Sequence, residues 1–586
     1  MNIKSGGIIN QILDLIDNNK KLVEINQDFR IRTGILNFFK SRADIMEFRN
    51  FLNSFKKIYD KKSDMGDFQT PMELTDKICE YISKTGFKPS ILLEPTCGSG
   101  NFIFSALKYF PTLKYIYCVE LQKEYDWIFK VNLLLKSFST KINVEIEFYK
   151  DNIFSHNFSD KFFKFLNSPF NKLLILGNPP WITNTRLSKL NSNNIPIKSN
   201  IKGHRGIEAI TGKGNFDIAE YIIISLLDQF SIYSGKIAIL CKTSVVKNLI
   251  KNINILDLKI SNIKSLLIDT KKEFNIKADA SLFIADLGSE KEKTCKLLSF
   301  YNPDHIYSVF GWADDKFVSN MQLYIKFKYI DGKSQMTWRQ GVKHDASKIM
   351  VLKKLETDLY INGLNETIQL EEDRLYPFLK SSDLKNRVIK NSDKKIIVTQ
   401  TTLNDDTTLL ANKYPKLWAY LNSHFKYLDN RKSVVYKNRP RFSIFGIGDY
   451  AFKPFKVAIS GFYKEPNFSL IFPHENKPVM LDDTCYYLSF NNLENAFFTW
   501  LLLSLDEIKM FLKSIAFLDS KRPYTKDKLM RISLNNIIDN ISFDTLFDHY
   551  KKNCEQFIFY DFNENDFNKF IKWKKSPTKN EVSNNN

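Results

Sequence analysis

No stretch of the chain holds the ~18 consecutive apolar residues that a membrane-crossing helix needs. The opening "MNIKSGGIINQILDLIDNN" has no basic flank leading into an apolar core. Neither a membrane span nor a secretory signal is expected, and the chain reads as cytoplasmic. None of the seven cysteines (Cys79, Cys97, Cys118, Cys241, Cys295, Cys485, Cys554) stands in a C-x-x-C pair. That argues against a zinc ribbon and against a disulfide framework; most of these thiols fall in apolar segments and read as reduced core residues. The seven histidines form no H-x-x-x-H pair, so no metal site is signalled.

What is present begins with size. At 586 residues the chain exceeds a single core, since cores stop growing at roughly 250–300 residues. Hydrophobic content is 43%, enough for ordinary globular packing. Lys, Asn and Ile are all abundant, the pattern of codon bias in an AT-rich genome, so the raw net charge of +20 is discounted. A basic chain of this size still suits a polyanionic partner better than an acidic one would.

Apolar spacing at three and four over residues 1–64 predicts an N-terminal helical arm packed on the next domain. From 65 the pattern changes to apolar strands separated by helices. "ILLEP" (91–95), "KYIYCVEL" (114–121), "NVEIEFYKDNIF" (143–154), "KLLILG", "GKIAILC", "IKSLLIDT" (263–270) and "DASLFIADLG" (279–288) are strand candidates. Their rhythm predicts an α/β domain over 65–330 with a mostly parallel sheet covered on both faces. The polar, basic stretch 182–214 interrupts it as a long loop; Lys198, Lys202, His204, Arg205 and Lys213 either meet a phosphate backbone or are solvated. A second, mixed α/β domain is expected over 331–575, with "LENAFFTWLLLSLDEIKMFLKSI" (493–515) as a long core helical segment and 576–586 as a disordered tail.

The chemistry lies at the strand ends. "EPTCGSGNF" (94–102) ends a strand in an acid, turns through Gly98 and Gly100, and opens a helix whose N–H groups suit a carboxylate or phosphate. Its spacing is neither G-x-G-x-x-G nor a P-loop. Glu120 ends the next strand about 20 residues on, where an acid grips ribose hydroxyls. Asp151 ends the third strand and is either an acceptor for an adenine amino group or a turn initiator. After the fourth strand comes "NPPW" (178–181).

An aryl amine is a poor nucleophile because its lone pair is delocalised. Two acceptors for its N–H groups favour a more tetrahedral nitrogen: the Asn178 side-chain oxygen and the Pro179 carbonyl, pre-aimed by the fixed φ of proline. Pro180 completes the rigid turn. Trp181 offers a face on which a flat base can stack, a contact worth ~1–3 kcal/mol. The bland alternative is a rigid turn with a packed Trp; an indole locked in the interior would count against the stacking role.

In order, "DFQTP" (67–71), "LLEPTCGSGNF", "VEL", "KDNIF", "LGNPPW", "GNFDIAEYI" and "GKIAILCKTS" resemble the motifs of TaqI-like, gamma-class adenine-specific DNA methyltransferases. "WRQGVKHD" (338–345), "RPRFSIFGIGDYAFKPFKVAISG" (439–461) and "LDSKRPYTKDKLMRI" (518–532) are similar to target-recognition regions of that family. The resemblance implies a seven-stranded, mostly parallel Rossmann-like sheet with one antiparallel strand near its edge. It implies S-adenosylmethionine as donor, with Thr70 and the loop Glu94, Thr96, Cys97, Gly98 and Gly100 around its methionine part, Glu120 on its ribose and Asp151 at its adenine. It further implies that Asn178 and Pro179 bind the target amine, Trp181 stacks on a flipped adenine, and Phe216 flanks the same pocket.

Flipping costs a few kcal/mol, which contacts to duplex DNA must offset. Arg439 and Arg441, in a basic stretch interleaved with aromatics, and Lys521 and Arg522 are the candidates. Methylation of rRNA or of protein glutamine remains an alternative use of the NPP logic, as does a silent DNA-specificity subunit. A fused nuclease is not supported: "NPDHIY" (302–307) has a Pro-Asp but no fitting partner close by. Any restriction endonuclease is expected to be separately encoded.

Overall fold

The computed structural model describes residues 11–16, 20–54, 69–182, 217–356 and 358–575. The five basic residues of the loop after NPPW, Phe216 and the 576–586 tail lie outside the described residues. Contacts divide the chain into two units, Met1–Phe317 and Val318–Asn586. Among the described residues no helix is long and apolar enough to cross a membrane.

The first unit is built on one sheet. Its strands are β1 (Ile91–Glu94), β2 (Tyr115–Glu120), β3 (Glu145–Lys150), β4 (Leu173–Gly177), β5 (Gly235–Lys242), β6 (Ile260–Ile268), β7 (Ala280–Leu287), β8 (Thr294–Ser299), β9 (Asn302–Ala313) and β10 (Lys316–Val318). β1, β2 and β4 are buried along their whole length; strands covered on both faces are written as continuous apolar runs rather than alternating ones. The spatial order is β10-β9-β8-β6-β7-β5-β4-β1-β2-β3. From β3 through β2, β1 and β4 to β5 every pairing is parallel. β7 runs antiparallel between β5 and β6.

Among the described residues the sheet has ten strands, not the expected seven. β8 joins β6 in parallel and turns back into β9. This pairing satisfies backbone groups that β6 would otherwise present at an open edge. The addition escapes a search for apolar runs because much of β9 is exposed.

Strand order proceeds from β1 to β2 and β3 on one side and to β4 and β5 on the other. The crevice at the C-terminal ends of β1 and β4 is thus the topological switch point, where ligands of open α/β sheets bind. The two strand ends lie close: a Cβ on Gly177 would sit 3.3 Å from the Pro95 ring. At the far edge the chain between the helices Leu22–Thr33 and Arg42–Ser54 pairs with β3. Phe38, Phe39 and Phe48 gather around Phe29, and Phe48 and Phe39 reach Trp127. Between these helices Gly34 accepts from the Ile146 N–H at 2.8 Å and the Leu36 N–H donates to the Ile146 carbonyl at 3.1 Å. A side chain at Gly34, where φ is 76°, would run into the Val144 carbonyl.

The second unit holds two sheets. In the five-stranded one, Arg339–Gln340 forms an edge, followed by Cys485–Phe490, Phe455–Ser460, Phe468–Ile471 and Val388–Ile389. The other has six strands, and the helix Leu493–Leu503 packs on the first. The single helical segment expected over 493–515 is two helices, Leu493–Leu503 and Asp506–Ile515. Leu505 takes an extended conformation between them, while the Ser504 hydroxyl bonds back to the Leu501 carbonyl.

Candidate active site

The loop after β1 is shaped by two glycines with left-handed backbones, Gly98 (φ 50°) and Gly100 (φ 85°). A Cβ on Gly98 would lie 2.6 Å from the Gln69 amide, and one on Gly100 2.4 Å from the Phe129 ring. Both positions need glycine for space as well as for φ. Gly100 caps the helix Asn101–Tyr109, so the first N–H groups of that helix open toward the crevice. Gln69 accepts from the Ser99 N–H at 3.1 Å, and the Asn101 amide donates to the carbonyl of buried Thr70 at 2.7 Å. The segment before the helix Met72–Lys84 is thereby tied to the glycine loop.

Glu94 ends β1 with 2% exposure. Its Oε2 and the Thr96 Oγ1 are buried with no hydrogen-bond partner among the described residues. Burial above all, with Cys118 and Glu120 adding to it, pushes the Glu94 carboxyl well above the usual carboxylate range. Cys97 is buried beside them, and burial, reinforced by Cys118, raises its thiol. Unpartnered buried polar atoms cost about 1–3 kcal/mol each; they are tolerated where a ligand completes them.

Glu120, at the end of β2, accepts from the Gly98 N–H at 2.8 Å through Oε2 and from the Gln122 N–H at 2.7 Å through Oε1. Both oxygens are oriented by backbone N–H groups. Asp151, just past β3, is exposed; it accepts from the Asn152 N–H at 2.7 Å and is hydrogen-bonded to His156 at 2.8 Å. Partial burial pushes its carboxyl up, but these bonds outweigh that and hold it below the usual range. His156 continues to the Tyr117 hydroxyl at 2.6 Å. No sequence signal marks His156, because a lone histidine five residues after an acid has no pattern.

Asn178 and Pro180 are half-buried and Pro179 is buried directly after β4. Trp181 corrects the expectation of an open stacking face. It is 8% exposed, its indole N–H donates to the Leu240 carbonyl at 3.3 Å, and it meets Phe274 in a T-shaped contact at 5.4 Å. An indole is apolar in body with a single donor, so a site offering one carbonyl buries it at little cost. The next residue, Ile182, accepts from the Ile218 N–H at 2.9 Å. Asp217 caps the helix Ile218–Phe230 through the Ala219 N–H and takes the Lys242 ammonium at 2.6 Å. Burial raises the Asp217 carboxyl despite Lys242. Glu220 is likewise raised by burial, although Asn248 donates to it at 3.0 Å. Sequence reasoning misses Asp217 and Lys242, although an Asp before an apolar helix is an N-cap signal.

In the second unit, exposed Arg439 bonds to Asn404 at 2.6 Å. Arg441 lies 3.2 Å from Asp429. Lys521 and Arg522 both lie over the Phe462 ring, with Asp483 3.9 Å from Arg522.

Acids and a glycine loop at one side of a switch point, and an Asn-Pro-Pro turn at the other, define the class of Rossmann-like methyltransferases that take S-adenosylmethionine as donor. Residues 43–302 match the model of the N-6 DNA methylase family. The chain is 38% identical over 480 residues to the type II methyltransferase M.NspV of Nostoc sp., an alignment covering 81% of this chain and 97% of that relative. The type IIG restriction endonuclease BpuSI is 12% identical with a TM-score of 0.33, covering 97% of this chain and 75% of that one. A methyltransferase subunit of a type I restriction-modification system from Streptococcus thermophilus is 13% identical with a TM-score of 0.30, covering 50% and 67%. The chain belongs to the N-6 DNA methylases, adenine-specific DNA methyltransferases of restriction-modification systems.

Proposed function

We propose that this enzyme methylates the N6 amine of an adenine flipped out of duplex DNA, protecting cytoplasmic DNA from a separately encoded endonuclease. The observation that carries the reading is the Asn-Pro-Pro turn at the end of β4, directly across the switch point from the glycine loop of β1. Residues 65–330 serve as the catalytic domain, 331–575 as the target-recognition domain and 1–64 as an arm covering the sheet edge.

The residues present fit the donor. Glu94 Oε2 and Thr96 Oγ1, buried and unpartnered among the described residues, suit the polar methionine end, with Thr70, Cys97, Gly98 and Gly100 shaping the space around it. Glu120 has two oriented oxygens for a pair of ribose hydroxyls, and Asp151 has an exposed one for an adenine amino group. When bound, S-adenosylmethionine supplies a methyl group already activated on a sulfonium.

The chain's own task is to position and polarise the acceptor. Asn178 and the Pro179 carbonyl accept from the two N–H groups of the adenine amine, which sharpens its lone pair; Pro180 keeps the turn rigid. Methyl transfer leaves the nitrogen cationic, held by hydrogen bonds to Asn178 and the Pro179 carbonyl, and its extra proton passes to solvent with no strong base required. Trp181 is buried with its N–H on the Leu240 carbonyl, which counts against the stacking role and favours support of the turn by packing; Phe216 flanks the same pocket. Arg439, Arg441, Lys521 and Arg522 hold the DNA backbone and offset the cost of flipping.

Incubation with methyl-labelled S-adenosylmethionine and duplex DNA, rRNA or release-factor protein tests this. Label recovered as N6-methyladenine in DNA is the expected result. Label confined to RNA or to glutamine would overturn it, and so would the absence of transfer to any of the three.

A further inference from the structure

Arg339 lies on the edge strand Arg339–Gln340 of the second unit, and both residues are exposed. Its guanidinium sits over the Tyr450 ring, 4.6 Å from the centroid. Among the described residues it has no carboxylate and no hydrogen-bond acceptor. Arg441, by contrast, is held by Asp429, and Arg431 by the carbonyls of Leu428, His344 and Ser443.

The mounting is rigid. Arg339 pairs with Tyr487 across the strand. The Val342 N–H donates to the Leu481 carbonyl, and Lys343 and Phe445 exchange two backbone hydrogen bonds. Gly341 admits no side chain, because a Cβ would come within 2.2 Å of the Asp482 carbonyl. The platform is fixed too: Tyr450 packs on Tyr487 at 6.3 Å, and a Cβ on Gly448 would press within 2.8 Å of its ring.

A phosphate contact needs only charge, which flexible lysines supply. A fixed guanidinium plane with its fork of donors available is what a bidentate contact to a base edge requires. We propose that Arg339 reads a guanine of the recognition sequence through its O6 and N7 in the major groove, with Tyr450 as the positioning residue. This rests on the reading of the chain as a DNA adenine methyltransferase.

The test is to express the wild type, Arg339→Ala, Arg339→Lys, Tyr450→Leu and Tyr450→Phe in a host without adenine methylation, and to map N6-methyladenine across its genome by sequencing. The wild-type consensus is expected to contain a G·C position at which both Arg339 variants lose at least ~10-fold of their preference, with other positions unchanged. Tyr450→Leu should blur the same position less, and Tyr450→Phe should not. Because Arg339 is exposed, its variants should melt with the wild type. A consensus without G·C, an unchanged consensus in Arg339→Ala, or full selectivity in Arg339→Lys would overturn the assignment. A wild type that leaves no methylated adenine would instead overturn the reading beneath it.

Discussion

The two sides of the switch point are built on opposite principles. After β1, β2 and β3 the chain places acids: Glu94 buried with an oxygen unpartnered among the described residues, Glu120 aimed by two N–H groups, Asp151 exposed and held by His156. After β4 and β5 it places an amide, two prolines and an indole, with the ion pair of Asp217 and Lys242 turned to capping a helix. Acids suit the hydroxyls and amines of a nucleotide donor. The amide side offers neutral acceptors, which polarise an amine without protonating it. Under the proposed function, one half of the crevice governs donor binding and the other governs turnover.

The sharpest way to break this contrast is Asn178→Ala, which should lower the methyl-transfer rate at least ~10²-fold in a single-turnover assay. Glu120→Ala is the mirror image: S-adenosylmethionine affinity should fall ~10–100-fold by calorimetry, with turnover at saturating donor much less affected. Trp181→Ala should lower turnover by loosening the turn, and Trp181→Phe by a similar amount because neither keeps the bond to the Leu240 carbonyl; a much smaller loss in Trp181→Phe would restore the stacking role. In the second unit, neutralising Arg439 and Arg441 together should flatten the logarithmic salt dependence of DNA binding by up to about 2. An unchanged slope would move the footprint elsewhere.

The smallest effect separates two acids by pH. Glu94 has a raised folded pKa, so its contribution to stability is fully present below the ordinary carboxylate pKa of about 4.3 and is lost as pH rises through the folded value. Asp151 has a lowered one, so its contribution is present above about 3.9 and lost as pH falls. Thermal melts of Glu94→Gln should therefore gain on the wild type toward neutral pH, and those of Asp151→Asn should lose there. The same sign in both would contradict the burial and bonding described for these acids.

How far the sequence could be read depends on the same physics. β1 to β7 were legible because central strands are apolar along most of their length, and acids or glycines mark where they end. β8 to β10 were not, because an exposed hairpin such as β9 has no periodic signature. The break at Leu505 was hidden because no Gly or Pro separates the apolar helix before it from the amphipathic one after it. In the site, the glycine loop and NPPW stood out by composition. His156 did not, since its role depends on Asp151 and Tyr117 arriving beside it. The burial of Trp181 was equally unreadable: an indole serves a core or a ligand, and only the Leu240 carbonyl decides where its donor goes.

The most direct test of the divided crevice is to titrate S-adenosylmethionine into Asn178→Ala and Glu120→Ala side by side while measuring methyl transfer by each. Near wild-type donor affinity without turnover is expected in the first, and lost affinity in the second with turnover largely restored at high donor concentration. Parallel loss of affinity in both, or active transfer by Asn178→Ala, would contradict the division.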